Sequence, residues 1–88
     1  LIDHLAWVRR QPCCVPECGR VPAEAHHVRT AANSGTGMKP SPFYAVPLCR
    51  YHHDKYHRIG RASFELACNV DLDAELRFLR MASGTEMP

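Results

Sequence analysis

No stretch of this 88-residue chain approaches the roughly 18 consecutive apolar residues of a membrane span. A transmembrane helix is therefore excluded. The first residues, Leu1-Ile2-Asp3-His4, lack the charged-then-apolar layout of a secretory signal peptide. They also lack an initiator Met, so the expectation is a fragment or a processed chain. There is no internal repeat and no low-complexity segment. Charged residues are 23% and hydrophobic ones 45%, which excludes a disordered acidic or basic tail. What remains is one small domain over 1–88, with too little apolar burial to be comfortable unaided. A staple such as a metal or a disulfide is expected.

Cysteine and histidine supply it. Four of the five Cys (13, 14, 18, 49) and five of the six His (26, 27, 52, 53, 57) lie between Cys13 and His57. An odd Cys count mixed with His, without a secretory signal, argues for metal over disulfides. Charge follows the same region. From Arg9 to Arg61 nine Lys/Arg face three acids, a net +6, whereas 62–88 carries −3. A metal site set in positive charge suits a polyanion, and nucleic acid is the common one.

Local signals predict the order helix, knuckle, strand, loop, strand and three helices. Leu1, Leu5 and Val8 recur on one face of a first helix that Pro12 stops. Cys13 to Gly19 is too short and too punctuated by Pro and Gly for regular structure. Strands are expected at Ala23 to Thr30 and Phe43 to Leu48, Pro47 marking the second as an edge. A helix from Arg50 to Ile59 should close at Gly60. Ser63 and Asp71 are the N-caps expected for the last two helices.

Two short ligand pairs, Cys13 or Cys14 with Cys18 and then Cys49 with His52, lie about thirty residues apart. Zinc takes four nitrogen or sulfur ligands tetrahedrally, and close pairs at turns supply them. Cys13, directly after Pro12, is the preferred partner of Cys18, Cys14 being the alternative. Cys14 and Cys68 then read as small buried groups. His26, His27, His53 and His57 remain. His53 and His57 are four apart and share a helix face. A strand–loop–strand–helix unit lays His26-His27 over that face. Three imidazoles on one divalent ion leave coordination positions open, as catalytic sites do. Arg29, two residues past His27 on a regular strand, is the candidate for steadying phosphate charge.

Taken together, the Cys knuckle, Ala25-His26-His27-Val28, Val46-Pro47-Leu48-Cys49-Arg50-Tyr51-His52-His53 and His57 resemble the HNH endonucleases of the ββα-metal (His-Me finger) superfamily. The stretch Gly35-Thr36-Gly37-Met38-Lys39-Pro40 looks like the phage and prophage group that includes the recombination-enhancement (Ref) nucleases. The resemblance covers Cys13 to about Gly60. It implies an α+β fold, a small ββα-metal domain with a zinc knuckle and flanking helices: a core motif at 13–60 and a helical tail at 61–88. It implies His27 as general base and His26, His53 and His57 as ligands of a catalytic Mg²⁺, Mn²⁺ or other divalent ion, beside the structural zinc that spacing gives to Cys13, Cys18, Cys49 and His52.

Nine residues before His53, where the family has Asn, stands Tyr44. A phenol cannot replace the amide's two-sided hydrogen bonding, so a main-chain carbonyl near Tyr44 is the substitute expected to hold His27. Because adjacent strand residues point oppositely, a bulge or strand end is needed for His26 and His27 to serve one site. The activity expected is metal-dependent DNA phosphodiester hydrolysis, in a bacterial or phage-encoded cytoplasmic protein with DNA and a recombination or phage protein as partners. The competing readings are a non-catalytic zinc-bound DNA-binding or interaction module, and a disulfide-stapled secreted mini-domain.

Overall fold

The computed structural model describes residues 4–21, 23–28 and 42–84. The Gly35–Pro40 stretch and Arg29 lie outside the described residues, as do Leu1 and Lys39. The described chain runs α1 (His4–Arg9), β1 (Glu24–His27), a single 3-10 turn (Pro42–Tyr44), β2 (Ala45–Leu48), α2 (Arg50–Cys68) and α3 (Leu72–Ala82). It is an α+β arrangement around one antiparallel strand pair.

Helix α1 turns His4 and Val8 inward. The expected Leu5–Val8 face is thus shifted, because the His4 ring packs between Trp7 and Phe43. Between α1 and β1 the knuckle closes on itself: the Cys13 amide donates to the Arg20 carbonyl and the Cys18 amide to that of Val15. Glu17 and Gly19 both take left-handed backbone there, with φ of 70° and 62°. Glycine adopts this readily, whereas Glu17 accepts a small strain.

Both strands are four residues long, shorter than their sequence signals. Their register pairs Glu24 with Leu48, Ala25 with Pro47, His26 with Val46 and His27 with Ala45. Pro47 has no amide to donate, but its carbonyl accepts the Cys14 N–H at 2.9 Å, docking the knuckle on the edge of β2. Phe43 and Tyr44 lie in the 3-10 turn rather than the strand. The Arg80 guanidinium sits 5.3 Å from the Tyr44 ring centre and donates to the Phe43 carbonyl, tying this turn to α3.

Gly60 does break the helix, with φ 81° and ψ 168°, but the chain resumes helical structure at once. Two expected helices are therefore one kinked element, α2. Its second half carries Phe64, fully buried among Leu48, Val46, Leu72, Leu76 and Leu79. Asn69 in the left-handed region ends it, and Asp71 caps α3 by accepting the Ala74 amide. Arg61 bridges Glu65 and Asp73, and Glu65 also accepts the Leu72 amide, so the joint between α2 and α3 is polar and directional.

Phe64 is the largest fully buried side chain, whereas Leu66 is 86% exposed. Phe64→Ala should cost about 3–5 kcal/mol, and Leu66→Ala should stay within about 0.5 kcal/mol. Denaturant unfolding at fixed zinc content reads both. Equal effects would mean that Phe64 does not anchor the core.

Candidate metal centres

Cys49 is the N-cap residue of α2, in extended backbone, and its side chain makes no capping bond. Its thiol is therefore available to other partners at the start of the helix. Three residues on, His52 lies in the same first turn, and both meet the knuckle. His52 Nδ1 is 3.2 Å from Cys49 Sγ and 3.6 Å from Cys13 Sγ, and Cys18 Sγ is 3.8 Å from Cys49 Sγ. Tetrahedral zinc, with bonds of about 2.3 Å to sulfur and about 2.0 Å to nitrogen, sets sulfur–sulfur edges near ~3.8 Å and sulfur–nitrogen edges near ~3.5 Å. These three edges lie close to those lengths. This three-cysteine, one-histidine cluster can hold a metal ion such as zinc.

Burial pushes the Cys13 thiol up to about 11, a cost that a cation would offset. Burial, then the charges of Lys55 and Arg20, lower the basicity of His52 and favour the neutral ring a ligand needs. Cys14, whose amide is fixed to Pro47, packs against the core instead. Burial first, and then the nearby Glu75 charge, drive its thiol strongly upward. Cys68 also packs against the core, and all five cysteines are free, so the disulfide-stapled reading finds no bond to rest on.

The second cluster is made by β1 and the first half of α2. The rings of His26, His53 and His57 form a near-equilateral triangle, with centroids 4.8, 4.9 and 5.1 Å apart. Their nitrogens lie within 4.8 Å of one another. His26 is buried, His53 half-buried and His57 exposed, so the triangle opens to solvent on one side. Tyr56 packs on the inner ring of His26, centroids 4.0 Å apart, and in turn on Phe64. Burial, followed by repulsion from His53, His57 and His27, pulls His26 down to about 4. His26 is thus neutral near pH 7. Its Nε2 is buried with no hydrogen-bond partner among the described residues. An orphaned buried imidazole nitrogen costs free energy unless something accepts or binds there. A cation held by His26, His53 and His57 would satisfy that nitrogen.

His27 is outside this triangle. It is the exposed last residue of β1, across from Ala45, and the strand carries no bulge. Pleating turns it away from His26, and the strand end leaves it beside the cluster. Tyr44, at the position that the resemblance gives to Asn, is engaged elsewhere. Its carbonyl accepts the Val28 amide at 2.8 Å and its ring faces Arg80. Arg29 lies outside the described residues. One residue went unnoticed in the sequence: Glu24, whose Oε1 accepts from His53 Nδ1 at 2.6 Å. Its signal was available, since Glu24 and His26 are two apart on a strand and share a face.

Metal analysis of the purified chain should find zinc at the knuckle. Cys49→Ala should lose it together with cooperative melting, whereas Cys14→Ala should retain it. A Cys49→Ala chain that melts normally without zinc would overturn the assignment, and zinc loss in Cys14→Ala would move the first ligand to Cys14.

Comparison with known proteins gives a family rather than an activity. YdfU of Escherichia coli (strain K12), an uncharacterized protein, is 33% identical over 79 residues, which is 90% of this chain and 22% of that protein. The chain therefore spans about a fifth of the length of the curated relative it matches. No solved structure matches it. The family described as "Protein of unknown function (DUF968)" matches residues 2–85, and the chain belongs to that family.

Proposed function

We propose that this domain is a metal-dependent DNA endonuclease of the ββα-metal (HNH) kind, braced by a structural zinc at the knuckle. The observation that carries the reading is the His26–His53–His57 triangle with its orphaned Nε2, set on a β-hairpin and the helix that follows it. His26, His53 and His57 would hold the second ion, Mg²⁺, Mn²⁺ or another divalent metal. When bound, such an ion supplies Lewis-acid charge for the scissile phosphate and its leaving oxygen.

The chain's own groups have separable duties. His27, exposed at the strand end, takes a proton from water, which attacks phosphorus in line. The bond to the 3′ oxygen breaks and a 5′ phosphate remains. Imidazole suits proton transfer near neutral pH. Tyr56 and the buried strand face keep water from behind His26, and the exposed side at His57 is where substrate enters. Arg50 is engaged with Glu24 and Asp54, and Arg61 with Glu65 and Asp73, so these two contribute little to a docking face. Arg9, Arg10, Arg20 and Arg58 are exposed on the basic part of the chain and are left to meet phosphates.

The orientation of Tyr44 favours a second reading, a zinc-bound DNA-binding module without catalysis, because position 44, where the HNH pattern carries Asn, holds a phenol ring that faces Arg80. A plasmid-nicking assay with Mg²⁺, Mn²⁺ or EDTA separates the two. Nicking that EDTA abolishes supports the nuclease. His27→Ala should keep both metals and DNA binding yet cleave at least about a hundredfold more slowly. His57→Ala should lose the second metal together with activity. If His27→Ala loses that ion, His27 is a ligand and the role given to it is wrong. A wild-type chain that binds one metal and never nicks DNA belongs to the second reading.

Both readings require that DNA affinity fall steeply with salt, through counterion release. Arg58→Gln should weaken binding alike on unrelated sequences, measured by anisotropy at low and physiological salt. Binding indifferent to salt would point to a protein partner instead.

A further inference from the structure

His53 can present either ring nitrogen to an ion, and rotation about its last side-chain bond exchanges them. The tautomer and the rotamer must both be set before three imidazoles can converge. In this chain one contact sets both. Glu24 reaches across from β1, and its Oε1 lies 2.6 Å from His53 Nδ1. A carboxylate at this distance acts as acceptor, so it selects the tautomer that carries the ring proton on Nδ1 and leaves Nε2 for an ion. The same carboxylate is held from its other side: Arg50 Nη1 is 3.6 Å from Glu24 Oε2, and Arg50 Nε is 3.5 Å from Asp54. Glu24, His53, Arg50 and Asp54 thus form one network, with Arg50 about one helical turn before His53 and Asp54 on α2. Strand alternation puts Glu24 on the face of His26, so one short strand gives both a ligand and the group that aims another ligand.

We infer that Glu24 is a positioning residue of the second metal centre: it fixes His53 with Nε2 toward His26 and His57, and Arg50 steadies it in that duty. The inference rests on the proposed second metal site but not on nuclease activity. A carboxylate behind a ligating histidine raises ligand basicity and fixes ring orientation, and its removal typically weakens metal affinity about 10–100-fold. A merely structural clamp between β1 and α2 would act otherwise, lowering stability without discriminating between the two metal sites.

The test uses Ni²⁺, an ion that imidazole ligands suit, titrated calorimetrically into chains already carrying one zinc at the knuckle. Glu24→Ala should weaken Ni²⁺ binding by about 10–100-fold while zinc content stays at the wild-type value. Glu24→Gln should recover most of the affinity, because its amide oxygen still accepts from Nδ1–H. Glu24→Asp, a methylene shorter, should recover less. If Glu24→Ala does not fold, the contrast between Gln and Asp decides in its place.

Wild-type Ni²⁺ affinity in Glu24→Ala would overturn the inference. So would equal losses in the Gln and Ala variants, or Asp binding better than Gln, since charge rather than orientation would then be the cause. Failure of the underlying reading looks different: the wild-type chain itself would take up no Ni²⁺ beyond the knuckle.

Discussion

Everything in this domain hangs on the first turn of α2. Cys49 caps the helix with its backbone and leaves its thiol free for the knuckle, and His52 follows three residues later on the same side. These two residues bring together chain segments more than thirty positions apart in sequence. With so small a core, closing that loop through a metal is worth more than any single apolar contact. The knuckle in turn steadies β2 through the bond from Cys14 to Pro47, and β2 carries the register that places His26 over α2. The knuckle cluster is therefore upstream, mechanically, of the histidine triangle.

The neighbouring residues His52 and His53 divide the helix between two centres. Successive side chains are turned about 100° around a helix axis. His52 consequently faces the thiols, and His53, with His57 one turn later, faces the strand. The strand makes a similar division in steps of two: Glu24 and His26 face α2, and His27 faces solvent. Under the proposed function this partition keeps the base off the ion. A residue that accepts a proton from water must be exposed and free of coordination, and a ligand must be neutral and held. Under that proposal His27 would be the imidazole of the first kind, and His26, His53 and His57 would hold the ion.

Charge is distributed by the same logic. The acidic C-terminal part is largely consumed in structure: Asp71 caps α3, and Glu65 and Asp73 hold Arg61 at the joint with α2. These surface pairs contribute little individually, but they fix an angle between two short helices. Arg80 does similar service by stacking on Tyr44 and reaching the Phe43 carbonyl. Arg9, Arg10, Arg20 and Arg58, exposed on the basic part of the chain, make no side-chain ion pair among the described residues, which is why the polyanion reading attaches to them.

The sequence alone determined whatever depends on short separations. Cys49 and His52 at one helix start, His53 and His57 on one helix face, the break at Gly60 and the Asp71 cap all follow from the fixed geometry of a turn, and each could be read directly. Only the tertiary structure decided the rest. The sequence preferred Cys13 to Cys14 only for its place after Pro12, whereas the tertiary structure sets Cys13 beside His52 and has Cys14 donate its amide to Pro47 and pack against the core. Helical structure resumes straight after Gly60 and carries Phe64 into the core with the leucines of α3. Tyr44 turned to Arg80, a partner 36 residues away that no local pattern announces. Glu24 found His53 because the hairpin register set one strand residue against one helix turn. Local spacing fixes which side chains share a face; only long-range packing fixes what that face meets.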